Sequence, residues 1–214
     1  MQITWNGLGS FTIIAKPIQG DVTLVTDPFD NETGLRFPRS LAASIVLQSH
    51  DGLMAKNVGS ISGEESKLPF VIDHPGEYEV KGMFAHGIRA PKKDGTEHTI
   101  FRVSAEGMRI AFLGAIDREL TDKEVERLGN IDVLVVPVGG GDVLDKEKAN
   151  AVVSQIEPRL VIPSHYETKG EKIKHESVAA FCKELACPNE ETNKLKLTKS
   201  SLPQEDIRIA ILTR

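Results

Sequence analysis

"IDVLVVPVGGGDVLD", residues 131–145, is the stretch on which the fold turns. Ile131 to Val138 is an almost unbroken apolar run, which reads as a strand. Gly139, Gly140 and Gly141 end it. Three glycines suit a tight strand-to-helix turn with positive φ. A Gly-rich turn at a helix start can also hold phosphate. Neither a Lys-Ser/Thr pair nor a Gly-x-Gly-x-x-Gly pattern is present, so the turn is preferred. "DKEKANAVVSQIEP" (145–158) then spaces apolar residues helically and stops at Pro158, and "RLVIPSHY" (159–166) returns to strand.

Upstream, "TDKEVERLG" (121–129) is a short helix with a Thr121 cap, Glu124 as its capping-box partner and Gly129 at its end. "HTIFRVSAEGMRIAFLGA" (98–115) reads as a hairpin turning at Gly107. "QITWNGLGSFTIIAK" (2–16) and "GDVTLVTDPF" (20–29) read as two antiparallel strand runs separated by Pro17 and Gly20. "ASIVLQSH", "LPFVID" and "YEVKGMFAHGIRA" continue the β series. Downstream, "HESVAAFCKELA" is a third helix and "DIRIAILTR" a final strand. The first half is nearly all β, whereas strands and helices alternate in the second. That order predicts an α+β protein of two packed sheets with helices outside. The polar stretches "GSISGEESK" (59–67) and "PNEETNKLKLTKSSLPQED" (188–206) read as its loosest segments.

The 214 residues suit one domain, 1–214, of two pseudo-related halves, about 1–97 and 98–214. With 40% hydrophobic and 27% charged residues, the composition is that of an ordinary globular protein. Against 31 acidic residues stand 26 basic ones, with no basic cluster, which argues against nucleic-acid binding. No apolar run approaches the ~20 residues of a membrane span. Met1 leads straight into a strand pattern without a signal-like core, so the cytoplasm is the expected location. Cys182 and Cys187 lack zinc-ribbon spacing, and Cys182, on a helix, reads as a buried free thiol.

"ITWNGLGSF", "LVTDPF", "VLQSH", "HPGEYEVKG", "GTEHTIFRVSAEGMRIAFLGA", "ELTDKEVERLGNIDVLVVPVGGGDVLD" and "IEPRLVIPSHY" follow one another over residues 3–166. In this order they resemble the metallo-β-lactamase superfamily, in its Zn-dependent hydrolase, lactonase-like branch. The resemblance implies a four-layer αββα sandwich with a metal site at one edge. In that family a Thr-His-x-His-x-Asp-His loop supplies the first ligands. On that pattern Ser49 replaces Thr and His50 matches the first His. Gly52, Met54 and Ala55 stand where the second His, the Asp and the last His would be. Ala115 occupies the place of the bridging Asp of a Leu-Gly-Asp motif, and His165 in "IPSHY" matches the final His. His50 and His165 are thus the residual metal candidates, with Asp27 as a support residue bracing the ligand loop.

Asp51 and Asp117 flank lost positions, and His98 opens a strand where the family more often has Asn. All three are expected at the site edge only. No catalytic residue is assigned, and no cofactor is expected unless Zn or Mn binds a reduced site. His74, His86 and His175 read as solvated, and Glu77 and Glu79 as one face of a hairpin. The expected function is a catalytically weak or inactive family member serving as a binding or interaction module. The alternative is a metal-dependent hydrolase of a phosphoester, lactone or similar bond, built on His50 and His165. A homo-oligomer, with Leu53, Met54 and Phe84 as apolar contacts, is the partner expectation.

Overall fold

The computed structural model describes residues 1–17, 20–64, 67–183, 187 and 191–214. Its first sheet has six strands in the order β14-β1-β2-β3-β5-β7. These are β1 (Gln2–Gly7), β2 (Ser10–Ala15), β3 (Val22–Thr26), β5 (Ile45–Leu47), β7 (Phe70–Ile72) and β14 (Leu195–Lys196). A small ribbon of β4 (Ala42–Ala43) and β6 (Ser62–Gly63) lies apart. The second sheet runs β15-β13-β12-β11-β10-β9-β8. It comprises β8 (Gly76–Val80), β9 (Met83–Arg89), β10 (Thr99–Ala105), β11 (Met108–Phe112), β12 (Val133–Pro137), β13 (Leu160–Ser164) and β15 (Arg208–Ile209).

Each sheet changes from antiparallel to parallel pairing midway. In the first, β1, β2 and β3 are antiparallel neighbours while β3, β5 and β7 are parallel. In the second, β8 to β11 are antiparallel, and β11, β12, β13 and β15 are parallel. The expected α+β class is what the chain adopts. The helices are α1 (Asp122–Leu128), α2 (Lys146–Ile156) and α3 (Val178–Cys182). Helix α1 packs on β9, α2 on β12, and α3 on α2. A core of Ile3, Trp5, Phe11, Ile13, Phe101, Val103 and Ile110 lies between the sheets. On the other face of the first sheet, Val25 and Val46 join a second apolar cluster with Leu8, Phe29, Leu35 and Phe37 from the loops.

Local chemistry explains most elements. Thr121 and Glu124 form the capping box of α1, which closes on Gly129. Glu106 (φ 52°) and Gly107 (φ 72°) make the left-handed pair that a two-residue hairpin requires between β10 and β11. The run 2–16, in contrast, is two strands. It turns at Leu8, left-handed at φ 51° and fully buried, where the Trp5 indole N–H donates to the Leu8 carbonyl at 2.9 Å. Asn6-Gly7-Leu8-Gly9 carries the turn signature, with Gly7 at φ 120°, and the reading of 2–16 as one run passes over it.

Two further expectations change. Cys182 and Cys187 are joined in a disulfide and are not free thiols. Five residues apart, they are brought together where the chain leaves α3. Of the expected third helix, residues 184–186 lie outside the described residues, as do 65–66 and 188–190 of the two polar segments. Met54, expected as a surface contact, is buried at 6% exposure in the second cluster, whereas Leu53 and Phe84 are exposed. Among the described residues no helix is long and apolar enough to cross a membrane.

Candidate functional site

Parallel strands in an open sheet leave their carboxyl ends pointing to one rim, where ligands gather. Here Asp27 follows β3, Ser49 and His50 follow β5, Gly114 and Ala115 follow β11, Gly139 follows β12, and His165 follows β13. His98 precedes β10, and the Thr99 N–H donates to the Ser49 carbonyl at 2.8 Å, stitching the two sheets together at this rim.

Asp27 is the keystone of the first loop. Its Oδ1 accepts from the Ser49 backbone N–H at 2.7 Å and its Oδ2 from the Ser49 hydroxyl at 2.8 Å. Burial pushes its carboxyl up to about 7, against the opposing pull of those two Ser49 hydrogen bonds. Ser49 Oγ lies in turn 2.9 Å from Nδ1 of His50. Aspartate, serine and histidine thus form one chain that sets the orientation of the His50 ring. Burial, then the charge of Lys92, lowers His50 to about 4, so the ring is neutral at pH 7.

His98 stands closer to this site than the sequence suggests. Its ring stacks on His50 at 5.8 Å between centroids and is 1% exposed, with no hydrogen-bond partner for Nδ1 or Nε2 among the described residues. Burial, followed by the nearby His50, holds it well below the usual imidazole range. Gly114, at φ 56°, makes room for it. A Cβ there would fall 2.5 Å from Ser49 Oγ and 2.9 Å from His98 Nε2.

His165 is fully buried and left-handed at φ 52°, a costly conformation for a residue other than glycine. Its Nδ1 is 3.1 Å from Ser164 Oγ, and its Nε2 has no hydrogen-bond partner among the described residues. Burial, then His175, lowers its basicity sharply. Asp27 and His165 meet across Gly9, whose Cβ would lie 3.1 Å from Asp27 Oδ2 and 3.2 Å from His165 Nε2.

His175, expected in solvent, is buried. It packs edge-on to His165 at 6.0 Å and pairs with Glu171 at 2.6 Å and Asp142 at 3.4 Å. Burial alone would lower it, but Asp142 and Glu171 together raise it to about 9, so it is an imidazolium at neutral pH. The one local hint was its spacing from Glu171, four residues upstream. Asp142 arrives from the Gly-rich turn, far away in sequence. His86 is half-buried, with Nδ1 3.1 Å from an Arg102 nitrogen, and His74 is exposed beside Asp73.

A cavity of about 580 Å³ opens beside His50 and His98, and Asp51 lies on its wall. Asp117 does not join it. Its carboxylate accepts from the Lys93 N–H at 3.0 Å and holds the neighbouring loop.

Can these residues hold the ions that the resemblance implies? A dinuclear centre needs several imidazoles and carboxylates at ~2 Å from the metals. Among the described residues, no three His, Cys, Asp or Glu side chains form a group able to hold a metal ion. Gly52 has no side chain, and its Cβ position lies 2.7 Å from His50 Cδ2, so the His50 ring crowds the place of a second ligand. Met54 and Ala115, standing where carboxylates would be, belong to one buried apolar cluster. The donor set does not fit a two-metal centre.

The model of the beta-lactamase superfamily domain matches residues 2–165. A Thermotoga maritima structure, described as a Zn-dependent hydrolase of the metallo-β-lactamase superfamily, is 30% identical, with a TM-score of 0.78 over 100% of this chain and 99% of the other. A Thermoplasma acidophilum protein named a metal-dependent hydrolase is 24% identical over 198 residues, 78% of this chain and 84% of the relative. A Pyrococcus furiosus protein is 38% identical over 63 residues, 29% of either chain. The two-sheet fold, the rim where its histidines gather and the match over residues 2–165 agree: this chain belongs to the beta-lactamase superfamily.

Proposed function

We propose that this chain is a member of a metal-dependent hydrolase family that has given up most of its metal ligands and works as a binding module. The observation that carries the reading is the burial of Met54 and Ala115 within one apolar cluster that also holds Leu8, Phe29 and Val143. A cation placed there would have apolar contacts in place of oxygen donors, and hard or borderline divalent ions do not bind such surroundings. Asp27 keeps its place in the loop without needing an ion, since both of its oxygens are occupied by Ser49.

A second reading is favoured by the unpartnered Nε2 of His165 and by the names of the relatives. In it a reduced centre at His50 and His165 hydrolyses a phosphoester or lactone. The two readings diverge in one assay. Purified protein, preloaded with Zn or Mn, is screened against phosphodiester, lactone and β-lactam substrates, with His165→Ala in parallel. The binding-module reading expects no turnover above background in either protein. Turnover that EDTA and His165→Ala both abolish would replace it with the second reading.

A further inference from the structure

We propose that the cavity beside His50 and His98 binds a small organic cation, a primary or secondary ammonium. This inference rests on the reading that the rim carries no metal pair. The cavity, about 580 Å³, is of a size that takes a small ligand. Its wall carries three carboxylates, Asp51, Asp73 and Glu97, and no lysine or arginine is among its described lining residues. Two of those carboxylates already have partners. Glu97 holds Arg89 through two contacts, the longer of 3.0 Å, and Asp73 holds His74. Asp51 is exposed and forms no ion pair with a described residue, while the charge of Lys92 also reaches His50 and His98 from outside the lining.

The floor supplies a second, independent observation. His98 is 1% exposed, and neither Nδ1 nor Nε2 has a hydrogen-bond partner among the described residues. A buried polar atom without a partner carries a desolvation cost, which a ligand hydrogen bond recovers. A neutral imidazole with its proton on Nδ1 presents a lone pair at Nε2. An ammonium N–H satisfies that lone pair, and Asp51 lies on the wall of the same cavity. An anion would face three carboxylates with no basic side chain in the lining. A purely apolar ligand would leave His98 Nε2 unpaired. Ser49 Oγ, beside His98 Nε2 at Gly114, offers a second polar contact at the same depth.

The test is calorimetric titration of the full chain with n-butylammonium and with spermidine. Inorganic phosphate serves as the anionic probe and zinc chloride as the metal probe. The inference expects saturable amine binding with Kd on the order of 0.1–1 mM, weakened about tenfold by Asp51→Asn, an exposed and structurally mild change. Phosphate is expected not to bind. Because His98 variants could misfold, the second readout uses the native chain: the ¹⁵N signal of His98 Nε2 should shift on amine addition. Absence of amine binding and of the ¹⁵N shift, with zinc also unbound, would overturn this inference alone. So would phosphate binding in place of the amine, or amine binding unchanged by Asp51→Asn. Tight zinc binding that shifts His50 and His98 would overturn both this inference and the reading beneath it.

Discussion

Ala115→Asp is expected to destabilise the protein by about 3 kcal/mol or more, and zinc is expected not to restore the loss. Ala115 is fully buried in an apolar cluster beside Met54, which is 6% exposed. A carboxylate forced in there either stays ionised without a partner or takes up a proton, and both outcomes cost free energy. Met54→Asp should behave alike. Urea unfolding at pH 7, with and without saturating zinc, measures both. If the rim still held a metal floor, the new carboxylate would be a ligand and zinc would stabilise the variant in proportion to its occupancy. Recovery of wild-type stability on adding zinc would therefore count against the proposed loss of the centre.

The second large effect is a fall in stability above neutral pH. His175 has a folded pKa of about 9 against an ordinary 6.5, because Glu171 and Asp142 outweigh the cost of burial. A raised folded pKa stabilises fully below the unfolded value, and that contribution is lost as pH climbs through the folded one. The window is thus pH 6.5 to about 9. Between pH 7 and 9.5 the loss should be on the order of 2 kcal/mol. Asp27, raised to about 7, loses most of its contribution lower, between its ordinary 3.8 and 7, and adds only about 0.4 kcal/mol to the fall above pH 7. Urea unfolding at the two pH values provides the number. The double variant His175→Gln/Glu171→Gln removes the imidazolium without stranding Glu171, and its stability should be nearly flat over the same range. An equally steep fall in the double variant would assign the effect to other groups.

These two effects mark where sequence and structure part company. The hairpin at Glu106 and Gly107 and the capping box at Thr121 were legible because their signals are local, within four residues. Asp27 stands out in the sequence because a strand delivers it to the rim, and in the structure it accepts both Ser49 donors. His98 and His175 were harder. His98 reaches His50 only because Thr99 pairs with Ser49 across the two sheets, a contact separated by half a hundred residues. His175 becomes a buried imidazolium through Asp142, delivered by the turn at Gly139 to Gly141. That turn was correctly read as a backbone device, with Gly140 and Gly141 both at positive φ, but its consequence for a distant histidine has no local trace. Likewise, Gly52, Met54 and Ala115 could be seen as missing donors, yet only packing shows that two of those positions share one apolar cluster.

The most direct measurement is the metal content of the chain itself. Protein purified without metal, reloaded with Zn or Mn and dialysed free of excess is analysed for both elements. A rim converted to apolar packing should retain well under one ion per chain. Retention of one or two ions per chain, whose removal by a chelator is coupled to proton uptake by the freed ligands, would contradict it.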